Sequence, residues 1–322
     1  MPKFCRHGTL TERCPICHAT VEAATTRSAA AGSRHTARAR TQSRPSSRSG
    51  LTVRHELRAQ DDGYRTSLAP GLRSTQDALQ LAEAIAFAAG RLAGLGADPP
   101  GLYGQVAAIA EIEEATWLAV LIAYIGPLES EQPFAAIEEA RCRWGEFPML
   151  DGVEPGPRGS LERGRAQETL SAYSRFADRA GSQQLAFTAD SSWSPEQRFE
   201  RVYERLSLPG LHRRARYDLL ITLGRLGRYP LAAPGLLLTE DDAVTLAAKR
   251  VFGIGDRLTL ERRARELARA AAVPIEALDL ALENWGREEA ITAGFQGEQA
   301  RGASFAQAAE TALESAVAAL RC

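Results

Sequence analysis

The sequence has no run of about 18 apolar residues without charge, which is the length that a membrane-spanning helix needs. Its first residues are polar, so they lack the apolar region of a secretory signal. Only five cysteines occur in 322 residues, which argues against a disulfide framework. No convincing run of alternating β-branched residues indicates a strand. We therefore expect a cytoplasmic protein that makes no membrane contact and has a helical core.

The charge is unevenly distributed, although the net charge is only −1. Residues 1–60 contain eleven of the 39 basic residues and three of the 40 acidic residues, which leaves 28 basic and 37 acidic residues beyond position 60. A polyanion would meet this basic N-terminal arm readily. It would meet the acidic body only through local basic patches.

Three cysteines and two histidines lie within the first eighteen residues. Cys14 and Cys17 form a C-x-x-C knuckle, and with Cys5 and His7 they make a Cys₃His set that suits tetrahedral zinc. Four protein ligands leave no open position, so we predict a structural zinc whose binding folds this short segment. The alternatives are a redox C-x-x-C pair and an accidental cluster in a tail. His18 is a spare ligand.

Residues 22–70 are rich in Ser, Thr, Ala and Arg and show no apolar period. Such a composition cannot bury enough apolar surface to offset chain entropy, so we predict a flexible basic linker. The linker is either a solvated spacer or a non-specific nucleic-acid arm, since arginine neutralises phosphates. The predicted division is a zinc knuckle over 1–21, this linker, and a helical domain over 71–322.

From about residue 74 the apolar residues follow helical spacing. Capping signals occur at Ser74, at Ser194 with Gln197, and at Thr259. The stretch "QVAAIAEIEEATWLAVLIAYI" is nearly apolar over its second half and predicts the central core helix. The predicted class is all-α, with about ten helices in one domain.

The most informative stretch is "FERVYERLSLPGLHRRARYDLLITLGRLG". One helix ends near Gly210, and a second begins at once with Arg213, Arg214 and Arg216 in its first turns. Backbone N–H groups at such a helix start, with arginines beside them, suit a phosphate. An ordinary helix–helix turn with a solvated basic face is the alternative.

"LPGLHRRARYDLLITLG" resembles the hairpin of helix-hairpin-helix DNA glycosylases, and "DDAVTLAAKRVFGIGDRLTLERRARELA" looks like the helices that follow it. In those enzymes an Asp opens the helix after the hairpin, and the matching position here is Asp241. The resemblance implies a glycosylase-like fold for the helical domain. The segment from Gly210 to Asp241 is longer than the usual spacing, and Leu211 and His212 stand where a catalytic Lys would follow the hairpin glycine.

A resemblance over nearly the whole chain comes from "FCRHG…CPIC", "EEATWLAVLIAYIGPLESEQPFAAI", "AKRVFGIGD" and "ALDLALENWG". These segments resemble the alpha-glutamyl/putrescinyl thymine pyrophosphorylase family, whose third clade carries such a Cys/His module. The resemblance implies an enzyme that acts on DNA, in which a pyrophosphorylated 5-hydroxymethyluracil loses pyrophosphate and gains an amine. The implied partners are DNA and a small amine co-substrate, and association with the nucleoid is compatible with the expected cytoplasmic location.

This chemistry needs a carboxylate to take the amine's proton, cations for the departing pyrophosphate and a pocket for the extruded base. We predict Asp241 and Asp279 as catalytic carboxylates. We expect the hairpin 208–216, the helix start 241–250 and the helix 279–285 to meet. The predicted substrate- and DNA-binding residues are Gly210, Arg213, Arg214, Arg216, Lys249, Arg250, Trp117 and Trp285.

Each assignment has an ordinary structural alternative. Asp241 stands in the helix start "TEDD", where acids serve as caps. Asp279 and Glu283 lie four residues apart on one helix face, which fits either a paired site or a solvated face. Trp117 and Trp285 suit a core. The alternative functions are a DNA glycosylase that excises a damaged or modified base and a non-catalytic DNA-binding protein.

Overall fold

The computed structural model describes residues 59–321 except 189, 191, 240, 241, 254, 298 and 299. The described residues belong to one compact unit. They form twelve α-helices and no β-strand, which confirms the all-α class for this part of the chain. In chain order the helices are α1 (Thr75–Ala97), α2 (Gly101–Ala108), α3 (Ile112–Ile125), α4 (Ala135–Ala140), α5 (Ala166–Ala180), α6 (Gln183–Thr188), α7 (Pro195–Arg205), α8 (Arg213–Arg225), α9 (Ala243–Phe252), α10 (Arg257–Ala270), α11 (Ala277–Asn284) and α12 (Ala303–Leu320).

The core is built around α3, as its sequence predicts. Every residue from Ala115 to Ile125 is buried, because a helix that is apolar on all sides must be covered on all sides. Helices α2 and α8 pack against it. It ends at Gly126, whose φ of +81° a residue with a Cβ rarely adopts.

The long helix α1 packs against α12 and α11. It begins at the predicted cap, where Ser74 Oγ accepts a hydrogen bond from the backbone N–H of Asp77 at 3.0 Å. The stretch Thr75–Ala108 is long and apolar enough to cross a membrane by length and composition, yet 67% of its most apolar window is buried inside the protein. The core helices of folded domains can also be this long and apolar, and the packing of α1 against α12 is typical of a core helix.

The last residues of the predicted linker pack against the helical unit. Ala69 is fully buried, and the Tyr64 hydroxyl donates to the carbonyl of Leu320. Just beyond the linker, the N–H of Gly71 donates to the carbonyl of Val251 at 2.9 Å. Tyr64 and Ala69, which the composition of residues 22–70 assigns to the linker, therefore pack with the helical unit.

Side-chain caps set the starts of α7 and α10. Ser194 and Gln197 form the predicted capping box of α7. The predicted cap at Thr259 is wrong, because Asp256 is the N-cap of α10 and its carboxylate accepts the backbone N–H of Thr259 at 2.7 Å. Asp256 is the stronger cap, since its oxygens are charged at a positive helix end.

Candidate functional site

Arg213, the first residue of α8, joins segments that are far apart in the sequence. Its Nη2 donates to Asp279 Oδ1 in α11 at 2.5 Å, and its Nε lies 3.1 Å from Asp242 Oδ2 at the start of α9. The same guanidinium donates to the carbonyls of Leu236 and Leu237, which precede α9. The three segments that the sequence predicts to meet therefore do so around this one side chain.

Arg158 reaches the same cluster from the loop between α4 and α5. Its guanidinium contacts Asp218 at 2.6 and 3.1 Å, Asp279 Oδ2 at 2.5 Å, and Glu283. Only 4% of the Arg158 side chain is exposed. A buried cation is costly unless it is paired, and three carboxylates pair this one.

A Gly-Pro-Arg-Gly turn aims Arg158 into the core. A Cβ at Gly156 would lie 2.0 Å from the carbonyl oxygen of Pro127, and one at Gly159 would lie 2.1 Å from that of Ile125. Only glycine lets the turn lie this close to the end of α3. The two glycines therefore place the guanidinium of Arg158 among the carboxylates.

The cluster favours the charged forms of Asp279, Arg158 and Arg213. Burial raises the pKa of the Asp279 carboxyl, but the charges of Arg213 and Arg158 outweigh burial and hold that pKa below its ordinary value. Burial also lowers the pKa of the Arg158 and Arg213 guanidinium groups, yet the surrounding carboxylates outweigh it and raise both. The result is a fixed network of opposite charges in the protein interior.

Glu283 extends the network toward the surface. Its Oε1 accepts from Arg214 in α8 and lies 3.3 Å from Nη2 of Arg287. Glu283 and Asp279 lie on one face of α11, and both are buried. The spacing of these two acids therefore marks a paired, arginine-bound site, and the solvated-face alternative is wrong.

The hairpin turn is packed against α5. Gly210 has φ +72°, and a Cβ there would lie 2.1 Å from Thr169 Oγ1. The backbone N–H of His212 donates to Ser160 Oγ at 2.9 Å. On the outer side of the turn, His212 Nε2 lies 2.8 Å from Glu162 Oε1.

An open cleft of about 770 Å³ lies near this hairpin and is lined in part by Glu162, which contacts His212. Residues 147–155 form one wall and residues 161–170 form the other, so Glu162 links the cleft to His212. The volume falls in the usual range for small-molecule sites. Polar and apolar groups both line the cleft, including Phe147, Met149, Leu150, Asp151, Val153, Glu154, Leu161, Arg163, Gln167 and Leu170.

Arg216 and Arg250 both lie against aromatic rings. The Arg216 guanidinium is 4.4 Å from the ring centroid of Tyr203 and donates to the carbonyl of that residue at 3.2 Å. The Arg250 guanidinium is 5.5 Å from the ring of Trp285, and burial lowers the pKa of Arg250. Lys249 is half-buried in the last turn of α9. The hairpin arginine Arg216 is therefore held by contacts within the protein.

The two predicted tryptophans belong to the core. Trp117 is 3% exposed, and its indole N–H donates to the carbonyl of Cys142 at 3.1 Å. Trp285 is 7% exposed and donates to the carbonyl of Asp77 at 3.0 Å. Neither ring is free to stack on a base in this arrangement.

Five of the predicted site residues lie outside the described residues. They are Asp241 and the zinc ligands Cys5, His7, Cys14 and Cys17. In the described part of the chain, no group of three or more His, Cys, Asp or Glu side chains could hold a metal ion. Asp242, the described neighbour of Asp241, caps α9 by accepting the backbone N–H of Thr245 at 2.7 Å.

Sequence reasoning missed Arg158 and Asp218, which complete the buried cluster. The segment "EPGPRGS" predicts only a break between helices, since glycine and proline dominate it. The available signal was an arginine flanked by Gly156 and Gly159, because glycines let a turn approach a helix end closely.

The chain matches no family model, and no curated protein or solved structure matches it.

Proposed function

We propose that the chain is a DNA-base-modifying enzyme whose helical domain has a helix-hairpin-helix, glycosylase-like arrangement. The observation that carries the proposal is the meeting of the hairpin helix, the start of α9 and α11 at Arg213. An enzyme of this kind needs these segments together, because they surround the pocket that receives an extruded base.

The proposed reaction replaces a pyrophosphate by an amine on a hypermodified thymine. The amine nitrogen bonds to the exocyclic carbon of the base, and the bond from that carbon to the pyrophosphate oxygen breaks. The bonding electrons leave with the pyrophosphate, and a carboxylate takes the proton that the amine loses. We assign this proton transfer to Asp241, which directly precedes the cap residue Asp242.

Asp279 has a different position in this proposal. Both of its carboxylate oxygens already accept hydrogen bonds, one from Arg213 and one from Arg158, each at 2.5 Å. Proton transfer to Asp279 would first require an arginine to leave. The contacts therefore favour Asp279 as the residue that holds Arg213 in place beside the start of α9.

The cleft beside the hairpin is the proposed pocket for the reacting groups. Its volume of about 770 Å³ suits a base and a small amine together. Carboxylates of Asp151, Glu154 and Glu162 line it and attract a cationic amine, and Arg163 supplies a cation for the departing pyrophosphate. Phe147 offers an aromatic surface for the base.

We further propose that Cys5, His7, Cys14 and Cys17 hold a structural zinc. The support is the Cys₃His set itself, whose four ligands complete a tetrahedral shell. Metal analysis of the purified protein should give one zinc per chain, and Cys14→Ser or Cys17→Ser should remove it. Wild-type protein without metal after mild purification would overturn this assignment.

The reaction is tested by mass spectrometry of nucleosides from DNA that contains pyrophosphorylated 5-hydroxymethyluracil. The protein is incubated with this DNA and a set of small primary amines. A nucleoside that carries the amine supports the proposal. A released free base would indicate a glycosylase, and unchanged DNA that still binds would indicate a binding protein.

A further inference from the structure

The outward face of α10 carries a row of arginines. Arg262, Arg265 and Arg269 are exposed, and they lie three and four residues apart, so they share one side of the helix. At 1.5 Å per residue, the row is roughly 10 Å long. We call these three residues the α10 basic face.

Further cations adjoin this face. Arg257 is exposed in the first turn of α10, and Lys249 lies in the last turn of α9, which packs against α10. Arg263 donates to the carbonyl of Phe252 and so ties the two helices together. These residues extend the basic charge beyond the α10 basic face.

This surface stands out against the rest of the body. Residues 249–270 contain seven basic and three acidic residues. Residues beyond position 60 include 28 basic and 37 acidic residues in total, so those outside 249–270 include 21 basic and 34 acidic residues. The rest of the body therefore has an acidic excess overall, whereas this patch has a basic excess and is one local basic surface of the kind that a polyanion needs.

The acidic residues of α10 neutralise the face only weakly. Glu261 is buried and accepts the backbone N–H groups of Leu236 and Leu238, each at 2.9 Å. Its oxygen is 3.9 Å from Arg265. Glu266 pairs with Arg262 at 3.5 Å, and both side chains are largely exposed, where such pairs contribute little.

The hairpin arginines are engaged elsewhere. Arg213 is buried against Asp279 and Asp242, Arg214 binds Glu283, and Arg216 lies on Tyr203. Moving Arg213 to a phosphate would take one of two arginines from the buried Asp279 and a cation from Asp242, which is costly. On the α10 basic face, Arg265 Nε donates to the carbonyl of Pro234 at 3.1 Å, but Arg262 and Arg265 are exposed, so their contact with a phosphate breaks no ion pair between two buried groups.

We propose that the α10 basic face binds the phosphate backbone of a nucleic acid. The inference rests on the proposed function only in taking DNA as that nucleic acid. Exposed arginines at helical spacing suit a row of phosphates, which they contact without reading the bases. A membrane surface is the less favoured partner, because membrane binding needs a broad apolar face. Among the described residues of α9 and α10, two large apolar side chains are exposed, those of Leu246 and Leu258, and they are too few to form such a face.

The test compares three variants of the full chain for binding to a mixed-sequence DNA duplex over a range of salt concentrations. The first is Arg262→Gln/Arg265→Gln/Arg269→Gln. The second, Arg262→Lys/Arg265→Lys/Arg269→Lys, keeps the charge. The matched control, Arg175→Gln/Arg179→Gln/Arg201→Gln, removes three exposed arginines from α5 and α7. Circular dichroism verifies that each variant is folded.

The Gln variant should lower the slope of log K against log salt by about 2–3, since each phosphate contact contributes about 0.9. The Lys variant and the control should keep the wild-type slope. Equal slopes for the Gln variant and the control would overturn the proposal. The proposal would also be overturned if the Gln variant lost binding to phosphatidylserine vesicles while its DNA binding stayed unchanged, because the face would then bind a membrane. Nucleoside analysis tests the proposed DNA-modifying activity, and the salt slopes test DNA binding by the α10 basic face. The two proposals can therefore fail separately, because the slopes are measured whether or not the wild-type protein alters the DNA.

Discussion

Arg158 Nη2 lies 2.5 Å from Asp279 Oδ2, although the two residues are 121 positions apart. Asp279 also binds Arg213, so one carboxylate connects the loop before α5, the start of α8 and α11. These elements pack correctly only if the charges pair, because each group is buried. The network thus positions the segments that carry the proposed chemistry.

Asp279→Asn should destabilise the protein in a way that depends on pH. The substitution removes the charge that compensates two buried arginines, which typically costs about 3–5 kcal/mol at neutral pH. The pKa of the Asp279 carboxyl is below its ordinary value of 3.8 in the folded protein. Its contribution is therefore fully present above that value and is lost as the pH falls through the folded pKa.

Urea denaturation of wild type and Asp279→Asn from neutral to acidic pH measures this effect. The difference in the free energy of unfolding should be largest near neutral pH and shrink in acid. Asp178→Asn, at an exposed position of α5, should show a difference near zero throughout. A constant difference between wild type and Asp279→Asn would contradict the charge-pairing account.

Gly159→Ala should be destabilising and Gly96→Ala should not. A Cβ at Gly159 would lie 2.1 Å from the carbonyl oxygen of Ile125, so the turn that presents Arg158 must move. A Cβ at Gly96 would lie 3.7 Å from the carbonyl oxygen of Arg225, which is an ordinary contact. Gly96 lies in α1, where alanine stabilises the helix relative to glycine by up to about 1 kcal/mol. Thermal unfolding should show opposite shifts in Tm. Equal stability of the two variants would show that the turn tolerates a side chain.

Deletion of residues 1–54 should weaken DNA binding mainly at low salt. Residues 1–54 contain ten basic and two acidic residues, which is the whole basic excess of residues 1–60, and arginine contacts to phosphate give a salt-dependent affinity. The cut lies before the residues that pack against the helical unit, such as Tyr64 and Ala69, so the domain should keep its Tm. The slope of log K against log salt is the readout. An unchanged slope would mean that the arm is only a spacer.

The fold was predictable where the signal is local. Helix α3 follows from an apolar run, and the caps at Ser74 and Ser194 follow from short motifs, because each depends on residues within one or two turns. The cap of α10 was missed because Asp256 and Thr259 both fit a helix start, and only the backbone geometry chooses between them.

The site was predictable only in part, because its main contacts are long-range. The sequence indicated that Arg213, Asp279 and the start of α9 belong together. It did not show that Arg158 would enter the cluster, since that depends on how closely Gly156 and Gly159 approach α3. It also did not show that arginines suited to phosphate would pair with buried carboxylates instead. That pairing is a property of the packed domain.

The central claim is the role of Asp241, and one substitution tests it most directly. Asp241→Asn keeps a side chain that caps a helix as well as aspartate does, so folding and DNA binding should be retained. If the carboxylate takes the amine's proton, the turnover of pyrophosphorylated DNA should fall by about 10²–10⁴-fold, as measured by nucleoside mass spectrometry. Asp178→Asn should leave that turnover unchanged. Wild-type turnover in Asp241→Asn would contradict the account, because it would show that this residue only caps α9.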